Sequence, residues 1–206
     1  NIYINIYIIM KTKYAFVIIH FGDKVKYLEL EIYTSIMLKK NTNHDIIYLY
    51  SINDTPKHFI NIMKQYCTHT IPYDDNNITY NITDFTSIYE HFNTIRTCNF
   101  LFAFNLTQYE KICIVESDII IMRNIDDIFD LKAPASVCYY DKNKENKHLF
   151  LENYKINLDN KYFMDECRTK SYMNGGVILL KPSLAKYKTC LTKLKLIIKK
   201  NVISVK

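Results

Sequence analysis

The sequence predicts an α/β fold in which a mostly parallel central sheet is flanked by helices. Short runs of β-branched and aromatic residues alternate with segments of helical periodicity through the first half of the chain. A chain of 206 residues is long enough to bury a core without disulfides or a metal. Its 49% hydrophobic and 23% charged residues exclude a disordered chain, a collagen-like repeat and a small disulfide scaffold.

The first half is expected to contain three strands and three helices. The run at 14–19 (YAFVII) is typical of a buried strand, and the apolar residues from Val25 to Met37 recur with helical spacing. Pro56 suits the first turn of a helix. The predicted elements are strands at 14–19, 45–50 and 68–72, helices at 24–40, from 53–56 to about 67 and at 85–108, and a loop at 74–84.

The second half is expected to complete the sheet. The predicted elements are strands at 111–115, 137–140 and 176–180, a segment at 119–122 that extends the first of these or begins another, and a helix at 182–200. Ligands of such sheets bind at the carboxyl ends of the strands, near a reversal of strand order. The segments 20–23 and 116–118 and the turn before Gly176 are therefore the candidate site.

Two carboxylates follow the predicted strand at 111–115. Glu116 and Asp118 are two residues apart, so in an extended chain they project to the same side. Such a pair can share a hard divalent cation, Mn²⁺ or Mg²⁺, which would stabilise negative charge on a departing phosphate. An ordinary polar strand end is the alternative interpretation.

A pair of glycines precedes the predicted strand at 176–180. The chain has only three glycines, and two of them are Gly175 and Gly176, after Asn174. A glycine pair permits positive φ or a close approach of the backbone to a ligand, and the amide of Asn174 could bind sugar hydroxyls. A tight turn in which the Asn makes only local contacts is equally compatible with the motif.

Residues 106–130 (LTQYEKICIVESDIIIMRNIDDIFD) and 174–183 (NGGVILLKPS) resemble the glycogenin-like family of retaining glycosyltransferases. The family pattern is L-T-x-Y-x-K, an apolar strand, D-x-D, N-I-D-D-L-F and, later, N-[AGS]-G-[VL] before P-S. The resemblance implies a GT-A fold, a UDP-sugar donor and bound Mn²⁺ or Mg²⁺. It implies metal ligation by Glu116 and Asp118, and a contact of Asn174 with the donor sugar. The nucleotide-sugar site would comprise His20, Phe21, Gly22, Asp23, Arg96, Glu116, Ser117, Asp118, Asn174 and Gly175.

The chain departs from the family pattern at several positions. Glu116 replaces the first Asp of D-x-D, and Phe100 stands where the family has a phosphate-binding Lys, for which Arg96 is a substitute one helical turn earlier. A longer gap before Asn174 predicts a polar insertion near 141–170. The family's later metal-binding His has no counterpart, so residues 10–206 are expected to be the N-terminal part of a catalytic domain truncated at its C-terminus, after an uncertain extension at 1–9.

The charge and the cysteines bear on partners and compartment. A net charge of +6 that is spread along the chain predicts no nucleic-acid partner, and no apolar run approaches the roughly 18 residues of a membrane span. The six cysteines have no paired spacing, which predicts reduced thiols. Without a visible signal peptide, a cytoplasmic location is favoured. The abundance of Ile, Lys, Asn and Tyr is typical of an AT-rich genome.

The expected function is metal-dependent, retaining transfer of a hexose from a UDP-sugar to a hydroxyl of a protein or glycan. No catalytic nucleophile, acceptor or oligomeric state is predicted. The alternative is a degenerate, non-catalytic domain of the same fold that binds a nucleotide sugar or a partner protein. A nucleotidyltransferase is disfavoured because residues 20–23 (HFGD) are not a Gly-rich, basic phosphate loop.

Overall fold

The structure is a computed structural model that describes residues 12–20, 22–74, 96–140 and 171–203. These ranges hold a six-stranded sheet, three α-helices and two 3₁₀ helices, Arg96–Asn105 and Asp126–Asp130. In chain order the strands and α-helices are β1 (Tyr14–His20), α1 (Val25–Asn41), β2 (Asp45–Ser51), α2 (Lys57–Met63), β3 (His69–Tyr73), β4 (Lys111–Val115), β5 (Ala135–Tyr140), β6 (Ser171–Leu180) and α3 (Leu184–Ile203).

The sheet has the strand order β3-β2-β1-β4-β6-β5. Strands β1 to β4 are parallel, and β6 runs antiparallel to both of its neighbours, β4 and β5. The chain first builds outward from β1 through β2 to β3 and then returns to place β4 on the other side of β1. This reversal of strand order creates a crevice at the carboxyl ends of β1 and β4. The predicted mixed α/β class with a mostly parallel sheet is confirmed.

Alternating side chains of the strands form two cores, one on each face of the sheet. On one face the strands pack against the first 3₁₀ helix and α3, and on the other they pack against α1, α2 and the second 3₁₀ helix. Largest among the fully buried side chains are Tyr48, Phe16, Phe59 and Phe129. The central strands are buried on both sides, which explains why their sequences are continuous apolar runs.

Three predicted elements differ from the structure. The described part of the predicted helix at 85–108 is a 3₁₀ helix that ends at Asn105, and residues 85–95 lie outside the described ranges. The segment 119–122 is irregular rather than a strand. Strand β6 begins at Ser171, so Gly175 and Gly176 lie within the strand and not in a turn before it. Pairing with both β4 and β5 extends β6 beyond its apolar part.

Helix α1 buries a different face from the one that its apolar residues predict. Val25 is 58% exposed, whereas three polar residues lie inside. The buried side chains are Leu28, Glu31, Thr34, Ser35 and Leu38. Their spacing of three and four residues is that of one helical stripe. All three polar members of this stripe have hydrogen-bond partners, which offsets the cost of burying them.

The cysteines described with their side chains are reduced. Cys67 and Cys113 are buried, and burial raises the pKa of Cys67 to about 11 and that of Cys113 to about 12. Within the described ranges, none of the helices combines the length and the apolar character that crossing a membrane requires. The predicted extension at 1–9 and insertion at 141–170 lie outside those ranges.

Candidate functional site

The two predicted acids lie directly after β4, at the crevice between β1 and β4. The backbone N–H of Glu116 donates to the carbonyl of Gly176 in β6 at 2.9 Å, which continues the β4–β6 ladder by one residue. The N–H of Ile119 then donates to the carbonyl of Glu116 at 3.2 Å. These bonds hold residues 116–119 as a turn at the end of the strand, a segment that we call the acidic turn.

A side chain of helix α1 forms hydrogen bonds with the backbone of the acidic turn. The hydroxyl of Thr34 donates to the carbonyl of Ser117 at 3.0 Å and lies 3.3 Å from the carbonyl of Ile119. Thr34 is buried, so these carbonyls receive a partner where water has little access. One side chain of α1 therefore fixes the backbone that carries both acids.

The acids repel one another. Glu116 is an exposed residue, yet partial burial of its carboxyl and the neighbouring charge of Asp118 raise the pKa of Glu116. Two hard oxygen ligands whose negative charges oppose each other suit a divalent cation, which would offset the repulsion. Across the described ranges no cluster of three or more His, Cys, Asp or Glu side chains is suited to a metal. Within the described ranges, Glu116 and Asp118 are therefore the candidate oxygen ligands.

Strand β6 passes beside the acidic turn. A β carbon built on Gly175 would lie 3.1 Å from Oε1 of Glu116, so the Glu116 side chain occupies the space over this glycine. Asn174 precedes it and pairs with Val137 of β5. The backbone of Asn174 lies beyond the end of β4. The predicted contact of the Asn174 amide with a donor sugar stays a prediction.

The side chain of His20 is committed to the protein interior. It is 1% exposed, and its Nδ1 lies 2.8 and 2.9 Å from the two carboxylate oxygens of Glu31. Its Nε2 donates to the carbonyl of Gly22 at 2.9 Å. Both ring nitrogens therefore have partners within the protein, and Nε2 holds the carbonyl of Gly22. The predicted contact of His20 with a nucleotide has no support from this arrangement and stays a prediction.

The protonation of this cluster follows from its bonds. Because Nε2 must donate to a carbonyl and Glu31 also accepts a bond from the Tyr48 hydroxyl at 3.1 Å, an imidazolium beside a carboxylate satisfies every group. Burial lowers the pKa of His20, but the hydrogen bond and charge of Glu31, together with the Gly22 carbonyl and the charge of Asp54, outweigh burial and raise that pKa overall. Burial likewise raises the pKa of Glu31, against the opposing effect of His20.

A second buried network holds the backbone at the same strand end. The hydroxyl of Tyr73 donates to the carbonyl of His20 at 2.9 Å and accepts a bond from the amide of Asn99 at 2.8 Å. Tyr73, Asn99, Glu31 and Thr34 are not among the residues that the sequence predicts for this region. The one available signal was the polar stripe on α1, three and four residues apart between Leu28 and Leu38.

Gly22 and Asp23 follow β1 at the same crevice. Gly22 has a φ of 91°, in the left-handed region that favours glycine, and Asp23 beside it is exposed. Phe21 lies outside the described residues. Arg96 begins the first 3₁₀ helix, and the structure describes its backbone alone. The segments 22–23 and 116–118 are therefore brought to the switch point, and the predicted phosphate contact of Arg96 stays a prediction.

Comparison with known protein sequences gives two short or partial matches. The chain is 30% identical over 125 residues to the uncharacterized protein R707 of Acanthamoeba polyphaga mimivirus, which covers 61% of this chain and 43% of that protein. It is 63% identical over 27 residues to the uncharacterized protein C5H10.12c of Schizosaccharomyces pombe, covering 13% of this chain and 7% of that protein. No protein-family model matches the chain.

Comparison with solved structures bears on the fold. Two crystal structures of the glycosyltransferase GlyE from Streptococcus pneumoniae TIGR4 match with a TM-score of 0.50 each and with 15% and 17% sequence identity. They cover 92% and 95% of this chain, which spans 39% and 41% of those chains. The chain thus spans less than half the length of these proteins. The strand order, the switch point and this likeness together show that the chain has the GT-A fold of glycosyltransferases.

Proposed function

We propose that this chain is the donor-binding part of a metal-dependent, retaining glycosyltransferase that moves a hexose from a UDP-sugar to a hydroxyl of an acceptor protein or glycan. The observation that carries the proposal is the acidic turn, which places Glu116 and Asp118 at the switch point of a GT-A sheet. The resemblance of residues 106–130 and 174–183 to the glycogenin-like family supports the UDP donor and the retaining outcome.

Glu116 and Asp118 would hold a divalent cation, Mn²⁺ or Mg²⁺. When bound, such a cation stabilises negative charge on the diphosphate that leaves the sugar. The protein would contribute the rigid turn that presents both carboxylates, because Thr34 and Gly176 fix its backbone. Asn174 would orient the donor sugar through its amide.

The segment after β1 would accommodate the nucleotide. Gly22 has a left-handed backbone, and its carbonyl accepts a hydrogen bond from Nε2 of His20, so residue 22 would be positioned before any ligand arrives. A segment ordered in advance loses less conformational entropy on binding. His20 would thus act as a positioning residue rather than as a ligand of the nucleotide.

Calorimetry of UDP binding with and without Mn²⁺ tests the proposal. Asp118→Asn should abolish the Mn²⁺-dependent part of UDP binding, because a neutral amide replaces a ligand charge at the cation. Asp130→Asn is the matched control, since Asp130 is an exposed acid in the second 3₁₀ helix and should leave binding unchanged. Unchanged Mn²⁺-dependent affinity in Asp118→Asn would refute the assignment.

A non-catalytic nucleotide-sugar-binding or partner-binding domain is the second candidate. It is favoured by the small donor set, since the described residues supply two carboxylates and no third ligand beside them. A panel of UDP-sugars incubated with Mn²⁺ and the full-length protein distinguishes the two candidates. Release of UDP from one sugar would support the transferase, and tight binding without turnover of any sugar would support the binding domain.

A further inference from the structure

Glu116 and Gly175 lie side by side across the β4–β6 pair. Val115 of β4 is opposite Val177 of β6, and the next bond of the ladder joins the N–H of Glu116 to the carbonyl of Gly176. At this point the Glu116 side chain lies over Gly175, where a β carbon would be 3.1 Å from Oε1 and 3.9 Å from Cδ. Nonbonded atoms make their best contacts at about 3.5–4.0 Å, so a methyl group at Gly175 would displace the carboxylate by a few tenths of an ångström.

Backbone conformation does not account for this glycine. Among the described glycines, the one with positive φ is Gly22. Gly175 lies within a strand, where glycine is less stable than alanine by about 0.5–1 kcal/mol. The register between β5 and β6 shifts at Ser136 and Val137, so Gly175 lies in an irregular part of β6. An irregularity of this kind does not by itself call for glycine, because alanine can adopt the allowed backbone conformations with negative φ. The Glu116 carboxylate is the neighbour that a side chain at position 175 would meet.

The contact with Gly175 also depends on the length of the Glu116 side chain. Glutamate has one methylene more than aspartate, and its carboxylate therefore extends far enough to reach the space over the neighbouring strand. A shorter Asp at position 116 would withdraw its carboxylate toward β4 and away from Gly175. The position of the Glu116 oxygens thus depends on two residues at once: the long side chain of one and the absent side chain of the other.

We infer that Gly175 is a positioning residue for the proposed cation site, matched to Glu116, so that an alanine at 175 weakens cation binding only while residue 116 is Glu. This inference rests on the proposed function. Metal–ligand distances tolerate about ±0.2 Å, so a displacement of a few tenths of an ångström is enough to matter. Residues that orient metal ligands typically change metal affinity about 10–100-fold when mutated.

A double-mutant cycle on Mn²⁺ affinity tests the inference. The wild type, Gly175→Ala, Glu116→Asp and the double variant are titrated with Mn²⁺ at saturating UDP, and free Mn²⁺ is followed by electron paramagnetic resonance. We expect Gly175→Ala to weaken Mn²⁺ binding about tenfold. Glu116→Asp should also weaken it, and the double variant should match Glu116→Asp within about twofold, which is the signature of two residues in contact.

Urea unfolding of the same four proteins provides the readout for the fold. Gly175→Ala should unfold with a free energy no lower than the wild type, because alanine is favoured over glycine in a strand and the displaced carboxylate is exposed. Weaker Mn²⁺ binding at unchanged stability then assigns the effect to the site. An equal loss of Mn²⁺ affinity in both backgrounds, or no loss in either, would overturn the matched pair while leaving the proposed cation site in place. A wild type that binds no Mn²⁺ with UDP would overturn both.

Discussion

The buried carboxylate of Glu31 meets Nδ1 of His20 at 2.8 and 2.9 Å, which joins α1 to the carboxyl end of β1. The other ring nitrogen of His20 holds the carbonyl of Gly22. This buried, hydrogen-bonded pair thus ties the carbonyl of Gly22 to α1. The pair lies at the carboxyl end of β1, next to the segment where the nucleotide is predicted to bind.

Replacing Glu31 by Gln should destabilise the protein by about 1.5–3 kcal/mol near pH 6, the range for hydrogen bonds to charged groups. The amide keeps the shape of the side chain but removes the charge that holds the imidazolium. The free energy of unfolding in urea measures the effect. Glu29→Gln is the matched control, because Glu29 is exposed on the same helix and should change stability by less than about 0.5 kcal/mol. Equal stability of the two variants would show that the buried pair contributes nothing.

The stability of the wild type should fall as the pH rises above neutrality. Because Glu31 raises the folded-state pKa of His20 above its ordinary value of 6.5, the stabilisation is fully present below pH 6.5. It is lost as the pH rises through the folded-state pKa, where the imidazolium loses its proton. The measurement is the free energy of unfolding from pH 6 to pH 9. His20→Gln should flatten this dependence, and His58→Gln, at an exposed histidine of α2, should retain it. A pH profile that is the same in all three proteins would contradict the assignment.

The sheet could be predicted from the sequence because its strands are buried on both faces. The runs that became β1, β2 and β4 are continuous and apolar, so their limits were within about one residue of the structure. The start of β6 could not be predicted, since the residues SYMNGG at 171–176 have no apolar periodicity and pair through their backbone. Backbone pairing between strands that are distant in sequence leaves no local signal.

The acids of the site could be predicted, but the residues that hold them could not. Glu116 and Asp118 stand out because they end an apolar run, and that position is visible in the sequence. Thr34 and Glu31 appear in the sequence as ordinary polar residues of a helix. Their partners are 83 and 11 residues away along the chain, so only the folded arrangement reveals what they contact.

Replacing Thr34 by Val should loosen the acidic turn. The two side chains have nearly the same volume, but valine leaves the carbonyls of Ser117 and Ile119 without the hydroxyl that now contacts both. The expected cost is about 1–3 kcal/mol of unfolding free energy, together with weaker Mn²⁺-dependent UDP binding. Thr189→Val is the control, since Thr189 is exposed on α3 and its hydroxyl bonds only within that helix. If Thr34→Val lowers stability but leaves UDP binding intact, the anchor does not serve the site.

Replacing Asn174 by Ala should weaken binding of a UDP-sugar far more than binding of UDP. Asn174 lies on β6 beyond the end of β4, and the resemblance to the glycogenin-like family implies that its amide contacts the donor sugar. Losing an amide–hydroxyl bond in a buried site costs about 1–3 kcal/mol, while the contacts of the diphosphate remain. Calorimetry with Mn²⁺, using UDP and UDP-glucose on the same variant, separates the two contributions. UDP is the internal control, because it retains the nucleotide and lacks the sugar. Equal losses of affinity for both ligands would mean that Asn174 shapes the strand and does not touch the sugar.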